Sequence, residues 1–154
     1  MEPEIQEAVD VDTSPEISAP PASEGAVGND VDAELEQMLA KQRASIKVIG
    51  AGGGGNNTIN RITEVGIVGA ETIGINTDAQ DLLYTNCNHK ILIGKEVTKG
   101  LGAGSDPRLG EEAARESEQQ IKKAIGTADL VFITCGLGGG TGTGSVPVVA
   151  EISK

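Results

Sequence analysis

Leu130-Val-Phe-Ile-Thr-Cys135-Gly-Leu-Gly-Gly-Gly-Thr-Gly-Thr-Gly144 joins an apolar run to a segment with almost no side chains. The apolar run predicts a buried strand, and the five glycines of residues 138–144 predict a loop at its carboxyl end. Glycine loses more backbone entropy on ordering than any other residue, so we expect something to lie against this backbone. Converging N–H groups are typical of a polyphosphate site, and the two threonines add hydroxyl donors or a metal-facing oxygen.

A second glycine cluster, residues 50–55, follows a second short apolar run, residues 46–49. Two such loops after two strands predict a nucleotide held from two sides. Glycine-rich turns also permit tight packing of a strand on a helix, and for residues 50–55 that explanation is about as good. For residues 138–144 we expect packing to be insufficient, because packing does not call for five glycines and two hydroxyls at one strand end.

The remaining body alternates strand-like and helix-like segments. We predict further strands over residues 72–76 and 90–94, and helices over 57–65, 107–125 and 146–152. This order predicts an α/β fold, a Rossmann-like parallel sheet with flanking helices. Ligands of such sheets bind at the carboxyl ends of the strands, where a third glycine-rich loop (residues 99–105) and Asp78 are also expected. Asp78 and Asp106 each precede a predicted helix and are candidate caps.

The charge is divided sharply along the chain. Residues 1–40 contain eleven acids and no Lys or Arg, so the net charge of −11 belongs to them, and they hold four of the six prolines. We therefore predict a disordered acidic extension over residues 1–42, with a short helix possible over 31–39, and a folded domain over 43–154. The extension serves either as a solubilising tail or as an acidic docking segment.

Composition excludes several classes of protein. There is no signal peptide and no stretch apolar enough to cross a bilayer, so we expect a cytoplasmic protein without membrane insertion. Aromatic residues make up 1% of the chain and the body is formally neutral, which argues against nucleic-acid binding. Cys87 and Cys135 lack a motif spacing and are expected as reduced thiols, with Cys135 in a buried strand; His89 is expected at the surface.

The residues next to the glycine clusters narrow the class of nucleotide that the chain is expected to bind. Gly50, Gly52 and Gly55 match the dinucleotide pattern Gly-x-Gly-x-x-Gly, but Asp78 is only roughly suited to hold a ribose. An oxidoreductase would also have no use for the richer glycine loop of residues 138–144. A P-loop is excluded because neither cluster is followed by Lys-Ser or Lys-Thr. The anion is therefore expected to be held by backbone amides, hydroxyls and helix N-termini, without a lysine.

At this point the sequence resembles the tubulin/FtsZ family. Residues 138–144 are similar to its signature loop, and four further segments agree in order: residues 46–57, 76–80, 98–107 and 146–151. The resemblance covers residues 45–154, and the Asn56-Asn57 pair is similar to archaeal members. The acidic extension is not part of the common pattern. Asp106 departs from the Asn that is common at its place, so a phosphate contact by its side chain is not carried over.

The resemblance implies a GTP-binding subunit of a cell-division filament that assembles the division ring at midcell. It implies GTP/GDP and Mg²⁺ as cofactors, and copies of the same chain, head to tail, with other division proteins as partners. Asp78 would reach the Mg²⁺ through water. The implied nucleotide contacts are Gly53, Gly54, Gly55, Asn56, Asn57, Asn76, Asp78, Ala103, Gly104, Ser105, Gly138, Gly139, Gly140, Thr141, Gly142, Thr143 and Gly144.

The family residues that hold the base and those that activate water have no counterpart in residues 1–154. We therefore expect the nucleotide-binding front of a longer GTPase, with no catalytic residue of its own and an exposed apolar sheet edge. Hydrolysis would be completed at the contact between subunits. Two alternatives stay open: a non-catalytic module that binds nucleotide or caps a filament, and a dinucleotide-dependent oxidoreductase, for which Thr143→Ala should be silent.

Overall fold

The computed structural model describes residues 28–154 and separates the chain into two units, Met1–Lys41 and Gln42–Lys154. Helix α1 (Gly28–Gln42) includes the predicted helix over 31–39, with Asp30 in its first turn and Lys41 in its last, which complements the helix dipole. Disorder was predicted over residues 1–42; residues 1–27 of that range lie outside the described residues, and residues 28–42 form α1. Over residues 28–154, no helix is both long enough and apolar enough to cross a bilayer.

The second unit is a parallel sheet with helices on both faces, as the sequence predicts. Its strands lie in the order β3-β2-β1-β4, and every pairing is parallel. The short helix α4 was not predicted. The elements are β1 (Ile46–Ala51), α2 (Gly52–Val65), β2 (Ala70–Asn76), α3 (Ala79–Tyr84), β3 (His89–Leu92), α4 (Lys95–Thr98), α5 (Pro107–Glu116), α6 (Glu118–Ile125), β4 (Leu130–Cys135) and α7 (Thr141–Ile152).

The main hydrophobic core lies between the sheet and helices α5, α6 and α7. Ile49 of β1 is in register with Ile73 of β2, and both side chains are fully buried with Ile121 of α6 and Val149 of α7. Burial of each such side chain contributes roughly 1.5–3 kcal/mol. This core fixes the carboxyl ends of the strands, and therefore the loops that follow them, in a single arrangement.

The helix predicted over residues 107–125 is two helices that meet at Ser117. Ser117 has φ −100° and ψ 14°, and its buried hydroxyl accepts a hydrogen bond from the N–H of Gly94 at 3.1 Å. A serine that binds backbone elsewhere in the fold competes with helix geometry, which explains the interruption. Residues four apart along the two helices nevertheless form one inward face, because Leu109 is half-buried and Ala113, Ser117, Ile121 and Ile125 are buried.

Both helices that follow a glycine cluster begin earlier than predicted. Helix α2 begins at Gly52 rather than residue 57, and α7 begins at Thr141 rather than residue 146. Much of each predicted loop is thus the first turn of a helix. Tertiary packing overrides the low helix propensity of glycine here, because these turns lie too close to neighbouring backbone for larger residues.

Strand β4 is less buried than predicted. It pairs with β1 alone among the described strands, and Leu130 and Phe132 remain 47% and 55% exposed. Cys135, expected to be buried, is half-buried. The exposed apolar edge expected from the sequence is therefore present at β4.

Candidate phosphate-binding site

The first turns of α2 and α7 meet at the carboxyl edge of the sheet. Strand β1 leads directly into α2 at Gly52, and the loop after β4 leads into α7 at Thr141. A Cβ atom placed on Gly52 would lie 2.8 Å from the amide nitrogen of Gly142, so the two helix ends are in backbone contact. Each helix N-terminus carries about half a positive charge, and here the two partial charges converge.

Neither of these helix ends has a side-chain cap. Ala51 and Gly140 occupy the cap positions and offer no side-chain acceptor, whereas Asp78 caps α3 and Asp106 caps α5. Over residues 28–154, the N–H groups of Gly142 and Thr143 have no hydrogen-bond acceptor. The first N–H groups of a helix need a partner from outside it. An anion at this junction would supply that partner to both helices.

The threonine hydroxyls hold the loop around α7 in place. Thr141 Oγ1 lies 2.6 Å from Thr77 Oγ1, which ties α7 to the end of β2. Thr143 Oγ1 accepts a hydrogen bond from the N–H of Gly138 at 3.0 Å, so its own proton stays available to an external acceptor. Thr77 is fully buried and was not among the predicted site residues, although it lies between two that were, Asn76 and Asp78.

The polar residues after β2 are already engaged within the chain. The side-chain amide of Asn76 donates to Asp81 at 2.5 Å, and its oxygen accepts from the N–H of Thr77 at 2.9 Å. Asp78 Oδ1 accepts from the N–H groups of Gln80 and Asp81 at 2.9 and 3.1 Å, which confirms its role as a cap. The predicted contact of Asn76 and Asp78 with a nucleotide stays a prediction.

Asn56 and Asn57 were grouped by the sequence but lie in different environments. Asn57 is exposed, whereas Asn56 is 1% exposed and faces β2, its Oδ1 lying 3.4 Å from the position of a Cβ on Gly74. Neither amide atom of Asn56 has a hydrogen-bond partner within the described part of the chain. Leaving a buried amide without a partner costs about 1–3 kcal/mol, so Asn56 is an energetically unfavourable position in α2.

The third glycine-rich loop borders the start of α7. A Cβ on Gly140 would lie 2.9 Å from both the Cβ of Ala103 and the amide nitrogen of Asp106. Gly104 and Ser105 are exposed and have φ of +55° and +64°, a conformation that a serine rarely adopts. Such backbone strain is frequent at ligand sites, and the contact of this loop with a nucleotide stays a prediction.

Asp106 closes this loop as a helix cap, as predicted. Its Oδ1 accepts from the N–H of Arg108 at 2.9 Å, and the Arg108 guanidinium donates to both carboxylate oxygens. These hydrogen bonds from Arg108 hold the pKa of the Asp106 carboxyl below its usual value. The ionised carboxylate is thereby committed to α5, and repels rather than attracts a phosphate.

Packing accounts for more of the glycines of residues 138–144 than expected. Cβ atoms on Gly140, Gly142 and Gly144 would all come within 3.0 Å of neighbouring atoms, so three of the five are required by the fold. Gly138 and Gly139 are exposed and have nothing within 4 Å of a built Cβ. Packing explains neither of these two; at Gly138 the φ of +94° favours glycine.

Comparison with known proteins agrees with this geometry. The GTPase domain of the Tubulin/FtsZ family matches residues 45–154. Cell division protein FtsZ 1 of Thermococcus kodakarensis is 56% identical over 151 residues, which cover 97% of this chain and 40% of that protein. The corresponding protein of Methanocaldococcus jannaschii is 63% identical over 123 residues, covering 80% of this chain and 34% of the relative.

Solved structures show the same fold. An empty FtsZ dimer from M. jannaschii superposes with a TM-score of 0.74 at 62% identity, covering 80% of this chain and 36% of that one. A GTPγS-bound protofilament of CetZ2 from Haloferax volcanii gives a TM-score of 0.62 at 26% identity, covering 70% of this chain and 35% of that one. The chain thus spans about two fifths of the length of these relatives or less. With 110 consecutive residues matched by the family's GTPase domain, the chain belongs to the Tubulin/FtsZ family.

Proposed function

We propose that the chain binds a guanine nucleotide, GTP or GDP, with the phosphates on the joined first turns of α2 and α7. The observation that carries the proposal is the contact between two helix ends that lack a side-chain cap, with the N–H groups of Gly142 and Thr143 left without an acceptor among residues 28–154. The open glycines Gly138 and Gly139 would let a phosphate approach the backbone closely. The loop with Ala103, Gly104 and Ser105 would lie at the γ-phosphate.

In the whole protein, this nucleotide would control assembly. We propose a head-to-tail filament of copies of the chain that builds the cytoplasmic division ring at midcell together with other division proteins. Hydrolysis would be completed by the neighbouring subunit, since no catalytic residue is assigned within residues 1–154. Supporting this, relatives include a dimeric FtsZ and a CetZ2 protofilament, and the matching family domain is a GTPase.

Asp78 is the residue that we propose reaches Mg²⁺. A single carboxylate fits this role, because Mg²⁺ bound with a nucleotide needs only one or two carboxylates besides phosphates and water. Asp78 Oδ1 is used in capping α3, which leaves Oδ2 facing Gly102 across the loop after α4. When bound, the metal would neutralise phosphate charge; the chain's part is to hold this carboxylate still.

The two roles of Asp78 can be separated by substitution. Asp78→Asn keeps a good cap and removes the charge, so the free energy of unfolding should change by less than about 0.5 kcal/mol, while Mg²⁺ should improve GTP binding less than it does in the wild type. Asp78→Ala removes the cap as well and should cost about 1 kcal/mol. Urea denaturation and titration with GTP at varied Mg²⁺ check both. Unchanged Mg²⁺ dependence in Asp78→Asn would leave Asp78 as a cap alone.

Measuring the binding of GTP and of NAD distinguishes the proposed function from the oxidoreductase alternative. Isothermal titration of the full chain should show binding of GTP and not of NAD. Thr143→Ala should weaken GTP binding about tenfold or more, because one hydroxyl donor to a charged group is lost. Thr63→Ala is the matched control: this half-buried threonine also makes one hydroxyl hydrogen bond, to Asn86, but lies near the other end of α2. NAD binding that ignores Thr143→Ala would favour the oxidoreductase.

A further inference from the structure

A basic groove runs along the edge of the sheet opposite β4. It has a volume of about 630 Å³, and all four residues of strand β3 line it. Helix α6 forms one wall through Gln120 and Lys123, and Lys95 stands at the end where α4 begins. The groove is separate from the junction of α2 and α7, none of whose glycines lines it.

Strand β3 uses only the backbone hydrogen-bonding groups on one of its two sides to pair within the sheet. Strand β3 pairs with β2 on one side, and within residues 28–154 no strand covers its other side. The N–H of Ile93 bonds to Asn76 of β2 at 2.9 Å, and since inward and outward groups alternate along a strand, the N–H and C=O of Lys90 and Leu92 point outward. An edge with free donors and acceptors is a template for an added strand.

The ionisable side chains that line the groove are all basic. Four lysines and His89 line it, and no Asp or Glu does. Glu71 lies just outside, paired with Lys47 and 3.6 Å from His89 Nε2, so these two contribute less. Lys95 and Lys123 are exposed and have no acidic partner in the described part of the chain. Their field favours a negatively charged occupant.

We propose that this groove accepts an extended acidic segment of a partner protein, which adds to β3 as a new edge strand. Backbone pairing with Lys90 and Leu92 would supply the affinity. Acidic side chains at every second position would face Lys123 and His89 on the α6 side. The alternate positions would face Leu82, Leu92 and the stem of Lys90, whose ammonium donates to the carbonyl oxygen of Leu83 at 2.6 Å, so apolar residues suit them. A free phosphate or nucleotide would use the lysines but not the ordered row of backbone groups.

Lysines on an edge strand have a second explanation, namely protection against unwanted pairing between sheets. The two explanations differ in what an acidic peptide does. Protective lysines would attract an acidic peptide only through their overall charge, whichever lysine is changed and whichever edge of the peptide is free. A docking groove requires Lys123 in particular and one edge of the peptide. Both requirements can be tested without altering the fold, because Lys123 is exposed and the peptide can be modified instead of the protein.

The test uses the full chain and a fluorescein-labelled peptide in which Glu and Val alternate. Fluorescence anisotropy should show saturable binding, and Lys123→Glu should weaken it about fivefold or more. The matched control is Lys122→Glu, the same charge change one residue earlier on α6 but outside the groove, which should change binding less than twofold. A peptide alternating Lys and Val should not bind.

Backbone pairing is tested by two N-methylated versions of the same peptide, each blocked along one of its two edges. Only one version should lose binding, because a single edge of the peptide faces β3. Equal loss in Lys122→Glu and Lys123→Glu would mean nonspecific attraction and overturn the proposal. So would equal binding of the two N-methylated peptides, or no binding of the acidic peptide. None of these results bears on nucleotide binding, which is measured separately with GTP.

Discussion

Gly144→Ala is expected to destabilise the chain by about 3 kcal/mol or more. A Cβ at this position would overlap the carbonyl oxygen of Pro107 and lie 2.6 Å from the amide nitrogen of Glu111. Both clashing atoms are backbone of α5, so relief requires α7 to move away from α5. The gain in helix propensity from Gly to Ala, about 1 kcal/mol, is too small to offset this.

The matched control for Gly144→Ala is Gly139→Ala, five residues earlier in the same glycine-rich segment. Gly139 has nothing within 4 Å of a built Cβ, so its substitution should leave the free energy of unfolding within about 0.5 kcal/mol of the wild type. Urea denaturation followed by circular dichroism measures both variants. If Gly144→Ala were as stable as Gly139→Ala, the close packing of α7 on α5 would be wrong.

Gly139 and Gly144 also show what the sequence could predict and what it could not. The alternation of strands, glycine-rich loops and helices along the sequence was sufficient to predict a parallel sheet with loops gathered at the carboxyl edge. It could not separate Gly144, which packing requires, from Gly139, which packing does not. That distinction depends on Pro107 and Gly110 of α5, whose backbone approaches the start of α7 from a distant part of the sequence.

Local signals predicted local features well. Asp78 and Asp106 were predicted as caps from their positions before short helices, and both accept the backbone hydrogen bonds expected of a cap. Ser117 was misjudged, because it lies inside the single helix predicted over residues 107–125 while its hydroxyl binds Gly94, from the segment after β3. Thr77 was overlooked because its partner, Thr141, lies on a different element. The errors therefore fall on residues whose contacts join segments far apart in the chain.

Because the first turn of α7 has no side-chain cap, Thr143→Asp should stabilise the nucleotide-free chain and weaken nucleotide binding. Thr143→Asp places a carboxylate in the first turn of α7, which lacks an acidic residue there. In the nucleotide-free chain this should stabilise folding by about 0.3–1 kcal/mol through the helix dipole. With GTP or GDP present, the carboxylate would lie beside a phosphate. Repulsion of like charges about 4 Å apart amounts to roughly 4 kcal/mol at a partly screened site, so nucleotide binding should fall at least about 100-fold.

Thr143→Asn separates charge from shape, because Asn and Asp are nearly the same size. Its side-chain oxygen can still accept the N–H of Gly138, as the Thr143 hydroxyl does. We expect Thr143→Asn to weaken binding of GDP by about tenfold, the cost of the lost hydroxyl donor, and to leave stability close to the wild type. Thermal unfolding with and without GDP measures both effects. If Thr143→Asp bound GDP as well as Thr143→Asn does, the phosphates would lie elsewhere, because a carboxylate beside them must repel.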